Sequence, residues 1–481
     1  MSNIPIILAT VNARYVHASL GLRCLWSNLG VLQSQAAIRE FTLNHSPAAI
    51  AEDMLAASPA IVGLGIYVWN VTLLTQVAQI VKRRQPNVVM VIGGPEVSYE
   101  YQGTALFETT DFLITGEAES AFPVLAQAVL AGQRPQEKVI EGAPANLAEV
   151  SSPYGAYSAS DLQTRLTYVE ASRGCPFRCA FCLSSLEKGV REFPLDVFLV
   201  ELEQLLERGA RRIKFVDRTF NLKPDRVKAI LQHLLSHWRD GLQVHFEIVP
   251  DRISDDTLGL MEAFPAGGLR LEVGVQTFNP VSQAAILRVQ DLAKTEKTLH
   301  CLRQRTGAII HADLIVGLPG ETLGSFGSGF DRLFSLRPDE IQVGILKRLK
   351  GTGIAEKQDL VFSQEPPYEV IETPWVTQAD MMRLKRFARY FEIYHNAHQF
   401  PEGMDLLLRA ETSAFDALMR FFDWVWERTG RTHRITLAEQ AELLYEHLVN
   451  VGVREPDAIA RVVEKDFRRL PGRKDKLSFC Q

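Results

Sequence analysis

Three thiols fall within eight residues of this chain, at Cys175, Cys179 and Cys182 of the stretch Ala171-Ser-Arg-Gly-Cys-Pro-Phe-Arg-Cys-Ala-Phe-Cys182. Thiolates at Cys-x3-Cys-x2-Cys spacing can ligate three irons of a four-iron, four-sulfur (4Fe-4S) cluster and leave the fourth iron without a protein ligand. An open iron can bind a substrate or a cofactor. The rival metal is zinc, but closed structural zinc sites take four ligands, and no fourth Cys or His stands near the three. The remaining cysteines, Cys24, Cys301 and Cys480, are scattered. Six cysteines so arranged do not read as a disulfide framework; they suit a reducing cytoplasm, where a low-potential cluster survives. Cys24 and Cys301 read as buried structural thiols.

The spacing, with Phe181 directly before the last cysteine, resembles the signature of the radical S-adenosylmethionine (SAM) enzymes. That resemblance implies that SAM chelates the open iron through its amino and carboxylate groups. An electron from the reduced cluster, supplied by an external donor such as flavodoxin or ferredoxin, then breaks a carbon–sulfur bond. The 5'-deoxyadenosyl radical so formed takes hydrogen from an unactivated carbon of a substrate that the sequence does not name. The stretch Lys214-Phe-Val-Asp-Arg-Thr-Phe-Asn221 resembles the family's second-strand segment, whose end meets the SAM amino group, which makes Asp217 and Arg218 candidates. By the same resemblance Glu247 and Gln276, on the third- and fourth-strand segments, are candidates for the ribose or methionine portion, whose hydroxyls need donors and acceptors in a desolvated cleft. The stretch from Asp313 to Glu321 resembles the fifth-strand segment beside the adenine, with Ile315 and Gly317 as contacts made through backbone. It departs from the commoner wording in having Asp313 where glycine is frequent.

The elements that must position these residues can be traced by period. Strands read at 168–172, with the cysteines on the loop that follows, and at 212–217, 243–249, 269–276, 309–316 and 340–346; helices between them include 195–208, 224–239 and 292–305. Side chains alternate faces along a strand. In 243–249 one set is Gln243, His245 and Glu247 and the other Val244, Phe246 and Ile248; in 269–276 Arg270, Glu272 and Gln276 oppose Leu271, Val273 and Val275; His311 and Asp313 share a face of the next strand. An ordinary closed barrel fills its centre with branched apolar side chains. A polar lumen instead fits a wide or partial barrel, and the family resemblance implies a partial (β/α)6 barrel. At least one pair among these charges is expected to form a buried ion pair, because an unpaired buried charge is costly.

Upstream, strands at 4–9, 36–41, 60–66 and 88–92 and a final one at 112–115 alternate with helices at 21–29, 48–57 and 71–84. That alternation points to a doubly wound parallel sheet, whose ligands sit beyond the carboxyl ends of the strands. The loops there carry Asn12, Arg14, Tyr15 and His17, then Tyr67, Trp69 and Asn70, then Gly93-Gly94-Pro95-Glu96, then Gly116-Glu117-Ala118-Glu119. Glycine lets backbone approach a ligand closely. These loops resemble the cobalamin-binding domain fused ahead of the barrel in one large class of radical SAM enzymes. The resemblance makes Asn12, Arg14, Tyr15, His17, Tyr67, Trp69, Asn70, Gly93, Gly94, Glu96, Gly116 and Glu117 candidate cobalamin contacts. It also implies a cofactor bound base-off, with the loop after the first strand beneath the cobalt. The Asp-x-His-x-x-Gly signature of a cobalt-ligating histidine is absent: Tyr15 stands where the aspartate would, and Gly21 comes one residue late. His17 is accordingly read as a loop histidine held by hydrogen bonds ahead of a cobalt ligand. Trp69 is either a wall of the cobalamin pocket or a packed aromatic. Methyl delivery to a substrate carbon is the simplest use of cobalamin beside a radical; cyclisation or rearrangement without methyl transfer uses the same parts.

At 481 residues, with roughly 150 per domain, about three domains are expected. They are read as 1–140 (cobalamin-binding type), a Pro/Gly/Ala/Ser-rich linker at 141–162, the barrel at 163–358 and an all-helical region at 359–481. In the last, helices read at 377–400, 410–428, 437–450 and 456–469. The stripe Phe421, Phe422, Trp424 and Trp426 reads as core, the alternative being a cap over the barrel mouth. The basic tail from Lys465 to Lys476 reads as a solvated end, since no nucleic-acid module accompanies it. A net charge of -5 and 46% hydrophobic residues carry no bias towards nucleic acid or acidic lipid. No run approaches the roughly 18 apolar residues of a membrane span, and the N-terminus lacks the parts of a secretory signal, so a cytoplasmic protein is expected. Two rivals remain. A radical tRNA methylthiotransferase would need a second set of cluster cysteines upstream, where residues 1–160 hold only Cys24. A cobalamin- or SAM-responsive sensor would use the helical region to bind a partner.

Overall fold

Aliphatic runs without polar alternation make strands buried on both faces. Ile6–Asn12 (β1) is one, with all seven residues buried. It lies in a parallel sheet with Ala36–Thr42 (β2), Ile61–Gly65 (β3), Val89–Gly93 (β4), Phe112–Gly116 (β5) and Val139–Gly142 (β6), in the order β2-β1-β3-β4-β5-β6. The computed structural model describes residues 4–187, 189–356, 360–409, 411–469, 472–473 and 475–480; the expected domain boundary at 358/359, the helix start at Ala410 and Lys474 of the basic tail lie outside them. Helices α1 (Leu20–Ser27), α2 (Pro47–Ala56), α3 (Val71–Arg84), α4 (Ala105–Thr109) and α5 (Ala121–Leu130) connect the strands. Ile50, Met54, Leu74 and Val77 of α2 and α3 cover one face, and Leu22, Phe122 and Leu125 of α1 and α5 the other. Strand order reverses between β1 and β3, the switch point at which such sheets bind ligands. The strand at Phe112 is not the final one. Val139–Gly142 adds a sixth, and Ala159–Thr164 (α6), opened by a Ser158/Asp161 capping box, begins inside the expected linker and runs past its end. Both elements are too short to leave a period in the sequence.

A second parallel sheet holds six strands in sequential order: Thr167–Val169 (β7), then, past a hairpin formed by Ser172–Cys175 (β8) and Gly189–Glu192 (β9), Arg212–Phe215 (β10), Gln243–Ile248 (β11), Leu269–Gln276 (β12), Ile309–Val316 (β13) and Glu340–Ile345 (β14). Among the described residues no ladder joins β14 to β7, so the barrel is open. Strands β11, β12 and β13 alternate strictly between half-buried and buried residues. The apolar set packs under Leu195–Glu207 (α7), Pro224–Ser236 (α8), Asp255–Glu262 (α9), Pro280–Ala285 (α10), Leu292–Arg305 (α11) and Leu323–Ser335 (α12), leaving the polar set to the lumen.

A short hairpin, Val361–Phe362 (β15) with Val370–Glu372 (β16), leads into Gln378–Phe391 (α13), Pro401–Arg409 (α14), Ala414–Thr429 (α15), Leu437–Val451 (α16) and Pro456–Arg468 (α17). The helix expected to run to 400 gives way to a π turn at Glu392–Asn396, and Pro401, preorganised for a first helical turn, opens α14. Phe330 of α12 meets Phe387 and Phe391 of α13 edge-on at 5.1 and 5.3 Å, so barrel and helices share one core. Phe421 and Phe422 are buried in it, as the core reading of the stripe required. Among the described residues no helix is long and apolar enough to cross a membrane.

Candidate functional site

The cysteines sit differently from a free loop after a strand at 168–172. The first barrel strand stops at Val169, and Cys175 belongs to the antiparallel hairpin, opposite Gly189. Gly174 makes the close pairing possible: its φ is +88°, and a Cβ there would lie 2.2 Å from the Gly189 carbonyl oxygen. Beyond it the Ala180 amide donates to the Ile286 carbonyl at 2.9 Å, pinning the loop to the end of α10. Cys179 is buried, Cys175 and Cys182 are half-buried, and all three thiols are free. Cys175 Sγ lies 3.5 Å from Thr219 Oγ1. Cys179 Sγ accepts from Arg288 Nη1 at 3.6 Å, and that guanidinium is fixed by the Gly274 carbonyl and by Gln290 Oε1. Burial pushes the Cys179 thiol up, and Arg288 opposes it. Three free thiols beside a permanent cation are a donor set that fits an iron–sulfur cluster.

Around this loop the strand ends present mixed roles. Asp217 is buried and both its oxygens are taken, one by the Ala171 amide at 2.9 Å and one by Ser172 Oγ at 2.5 Å. Burial pushes its carboxyl up to about 6 against those two bonds. It therefore braces the start of the cysteine hairpin, where the sequence had suggested a SAM contact. Arg218 stands half-exposed, 3.5 Å from Glu247 Oε2, and burial pushes the Glu247 carboxyl up against that cation. Gln276 ends β12 at φ +71° beside a register shift, which swings its side chain over Gly274. Ile315 is half-buried at the end of β13. Gly317 has φ +86°, and its Cα faces Val370 of β16, where a Cβ would come within 2.6 Å of a methyl. Phe181 packs at the edge of the barrel core.

The lumen is a paired network. Lys214 and His245 reach Glu272 at 2.9 and 3.0 Å. His311 lies 3.3 Å from Asp313 and 2.9 Å from Glu340, which also takes Arg270 at 2.5 Å. Burial opposes the His311 charge, but Asp313 and Glu340 outweigh it and hold the imidazole at about 9. His311, against burial and with help from Arg270, pulls Glu340 to about 2.

On the N-terminal side many candidates turn out to be fasteners. Asn70 is fully buried, donates towards Thr10, Val11 and Gly65, and accepts from the Tyr67 amide. Asn12 donates to the His17 carbonyl and to Glu40. His17 Nδ1 lies 2.7 Å from the Tyr168 hydroxyl of β7, and its backbone bridges Leu166, so this histidine is held by hydrogen bonds. Glu96 is buried against Lys350 Nζ at 3.0 Å and the Tyr368 hydroxyl at 2.7 Å. Glu117 pairs with Arg191 of β9 and with Arg173 of β8 at 3.2 Å, and Glu119 takes Arg173 at 2.7 Å. Burial opposes the Glu117 charge, yet Arg191, the Ala145 amide and Arg173 hold its carboxyl below the usual range. The glycines serve the sheet. Cβ atoms at Gly94 and Gly116 would lie 2.5 and 2.6 Å from the carbonyl oxygens of Ile66 and Gly142, and one at Gly93 3.2 Å from that of Ile114. What remains open is the loop of Arg14 and Tyr15 and the indole of Trp69, 46% exposed, which stacks flat on Tyr67 at 4.5 Å and donates to the Val11 carbonyl at 3.0 Å. A flat aromatic pair beside an exposed loop at the switch point fits a large planar ring such as a corrin.

The residues that sequence reasoning passed over are the partners of these fasteners and of the cysteine loop: Arg173, Arg191, Arg288, Glu40, Lys350 and Tyr368, with Arg23 and Arg165, which reach Glu40 at 3.0 and 2.6 Å. Arg173 alone carried a signal, being inside the cysteine motif; the others lie far along the chain from what they hold.

Comparison with known proteins bears on the whole arrangement. Residues 6–126 match the B12 binding domain, 169–331 the Radical SAM superfamily and 356–479 a family described as a protein of unknown function (DUF4080). The cobalamin-dependent radical SAM methyltransferase TokK of Streptomyces tokunonensis is 29% identical over 57% of this chain and 45% of its own length. The ribosomal protein uS12 methylthiotransferase RimO of Chloroflexus aurantiacus is 28% identical over 47% of this chain and 50% of its own. The chain thus spans half or less of these relatives. In fold it is similar to the cobalamin-dependent SAM radical enzyme OxsB, with a TM-score of 0.64 at 12% identity over 97% of this chain and 81% of that one. The radical SAM methyltransferase TsrM of Kitasatospora setae gives 0.58 at 18% identity over 74% of each chain. In this order the chain carries a B12 binding domain joined to a Radical SAM domain, the two domains of a cobalamin-binding radical S-adenosylmethionine enzyme, and they imply cobalamin, SAM and a 4Fe-4S cluster as cofactors.

Proposed function

We propose that this enzyme methylates an unactivated carbon of its substrate. The observation that carries the reading is the clamp of Glu117 and Glu119 on Arg173 and Arg191, which ties the cysteine hairpin to the carboxyl-end loops of the B12-binding domain. It fastens the cysteine hairpin to the loop after β5, at the carboxyl end of the same sheet whose β3 loop carries Tyr67 and Trp69. The methyltransferase names of TokK and TsrM support the choice of methyl transfer over other radical outcomes.

When bound, the cluster, SAM and cobalamin supply an organic radical and a transferable methyl group. The chain's own residues bind, orient and exclude water. Cys175, Cys179 and Cys182 are assigned as the cluster ligands, with Phe181 beside them. Arg218 and Glu247 are assigned to the polar end of SAM, Gln276 to its ribose, and the backbone at Ile315 and Gly317 to its adenine. Arg14, Tyr15, Tyr67 and Trp69 are assigned to cobalamin. His17, whose Nδ1 meets the Tyr168 hydroxyl, is assigned to holding the loop, and Arg14, Tyr15, Tyr67 and Trp69 are the residues that would hold cobalamin. An external one-electron donor of flavodoxin or ferredoxin type supplies the reducing equivalents.

Anaerobic reconstitution with iron and sulfide, followed by reductant, SAM, methylcobalamin and candidate substrates, tests the proposal. Formation of 5'-deoxyadenosine together with a product heavier by one methylene unit is expected. Product of unchanged carbon count alongside 5'-deoxyadenosine would overturn methyl transfer.

A further inference from the structure

On the outside of the barrel, α7 and α8 run side by side, and His233 and His237 stand one turn apart at the end of α8. Glu203 of α7 faces them, and one ligand atom from each of the three lies within 4.8 Å of the other two. His237 Nε2 is 3.2 Å from Glu203 Oε1, and the two imidazole centroids are 4.3 Å apart. The tautomer is set locally. His237 Nδ1 lies 2.9 Å from the His233 carbonyl oxygen, which can only accept, so Nδ1 carries a proton and Nε2 of the neutral ring carries a lone pair. That lone pair faces a carboxylate, acceptor against acceptor. Among the described residues His233 Nε2 is buried and has no hydrogen-bond partner, and burial with the neighbouring His237 favours its neutral form. Two imidazoles and a carboxylate oxygen converge on one point, and a cation there would satisfy all three.

We propose that Glu203, His233 and His237 form a binding site for a divalent transition ion of the zinc class, with the remaining position open to water. Two imidazoles and a carboxylate suit zinc and its neighbours better than calcium or magnesium, which take oxygen donors. Tetrahedral zinc with bonds of about 2.0–2.1 Å holds its ligand atoms about 3.4 Å apart, close to the His237–Glu203 separation of 3.2 Å. The His233 carbonyl on the far nitrogen of His237 is the outer-shell partner that metal-bound histidines use to fix ring and tautomer. His237 and Glu203 are 31% and 40% exposed, so an ion can enter from solvent. The site is separate from the cysteines. An ion there staples α7 to α8, the helices on either side of β10 in the chain, just upstream of Asp217 and Thr219.

Zinc itself is the probe. Full-length protein carrying its reconstituted cluster, and in parallel the Cys175→Ala/Cys179→Ala/Cys182→Ala variant, whose cluster thiols can no longer take zinc, are titrated anaerobically against a chromophoric chelator. One zinc equivalent is expected in both. His233→Ala and His237→Ala should each weaken it by at least about tenfold, the low end of what loss even of an outer-shell partner costs a metal site. Zinc should raise the melting temperature of the parent and not of these variants. Cobalt at the site should show ligand-field bands without a sulfur charge-transfer band. His233→Gln and His237→Gln, checked by circular dichroism, replace any alanine variant that fails to fold. Absence of a zinc equivalent in the triple cysteine variant overturns the proposal, as does an equivalent whose affinity neither histidine substitution changes; the first result would leave a plain His237–Glu203 ion pair.

Discussion

Glu40→Ala should loosen the B12-binding domain from the barrel. Its carboxylate, 7% exposed, accepts from Arg165 Nη1 at 2.6 Å, Arg23 Nη1 at 3.0 Å, Asn12 Nδ2 at 3.0 Å and the Ser19 amide at 2.5 Å. Without it two buried guanidinium groups keep the Ser19 and Tyr15 carbonyls but, among the described residues, only Asp161 as an anionic partner, 3.2 Å from each. At an effective dielectric of about 20 each lost contact is worth roughly 5–6 kcal/mol of attraction. Most of that was offset by desolvation when the pair formed, and the net loss on breaking a buried pair is about 3–5 kcal/mol. Against about 5–15 kcal/mol for a domain that is a large share. With a urea slope of about 1–3 kcal/mol/M, the first unfolding transition should move down by about 1–5 M. The first transition is the one to read, because a chain of several domains does not unfold as two states. Glu40→Gln keeps an acceptor and should fall between. The control is Glu446→Ala, whose partner Arg428 and itself are 48% and 46% exposed, and which should cost about 0–1 kcal/mol. Asn12 and Ser19 bracket the loop of Arg14, Tyr15 and His17, so Glu40→Ala should also retain added cobalamin less well. A Glu40→Ala midpoint no lower than that of Glu446→Ala would refute the reasoning.

Three further outcomes are expected. Arg288→Gln should lower the reduction potential of the reconstituted cluster, because a fixed cation donating to Cys179 Sγ stabilises the more negative reduced state; a potentiometric titration followed by paramagnetic resonance reads it, and an unchanged potential would discount the contact. His311, raised from 6.5 to about 9 by Asp313 and Glu340 among Arg270, Glu272 and Lys214, contributes stability that is whole below about pH 6.5 and lost as pH rises through about 9. Urea midpoints at pH 6, 7.5 and 9 should therefore fall in the parent more steeply than in His311→Gln, and parallel slopes would count against the network. Gly317→Ala should cost about 1–2 kcal/mol from its left-handed φ before the contact with Val370 is counted, and thermal unfolding should show a drop of several degrees.

Much of the fold was legible because it is written in period. The uninterrupted aliphatic runs of β1, β3 and β4 declare a sheet covered on both faces, and the strict alternation of Gln243–Ile248 and Leu269–Gln276 separates core from lumen residue by residue. The thiol spacing was equally plain, because cluster chemistry is local in sequence. What period cannot carry is the choice a polar residue makes at a strand end. Asp217, Glu96 and Glu117 have the residue types and positions of ligand contacts, and the structure gives all three to protein partners: the Ala171 amide and Ser172, then Lys350 and Tyr368, then Arg191 and Arg173. The last two sets of partners lie between about 50 and 270 residues away along the chain, beyond any local pattern.

The same distinction sharpens the site. A carboxylate buried at a domain junction and fully paired cannot also turn to a ligand, since releasing it leaves its partner's charge unsatisfied in a dry place. Glu40, Glu96 and Glu117 are therefore fixed costs of joining the B12-binding domain to the barrel. The residues proposed to meet the cofactors, Arg14, Tyr15, Trp69, Arg218 and Gln276, lie outside these buried carboxylate clamps. Substitutions among the first group should act through stability and cofactor retention together, whereas those among the second should change cofactor affinity in a protein that unfolds like the parent. A Trp69→Ala variant that keeps its urea midpoint but no longer holds cobalamin would separate the two groups, and one that loses both would put Trp69 with the fasteners.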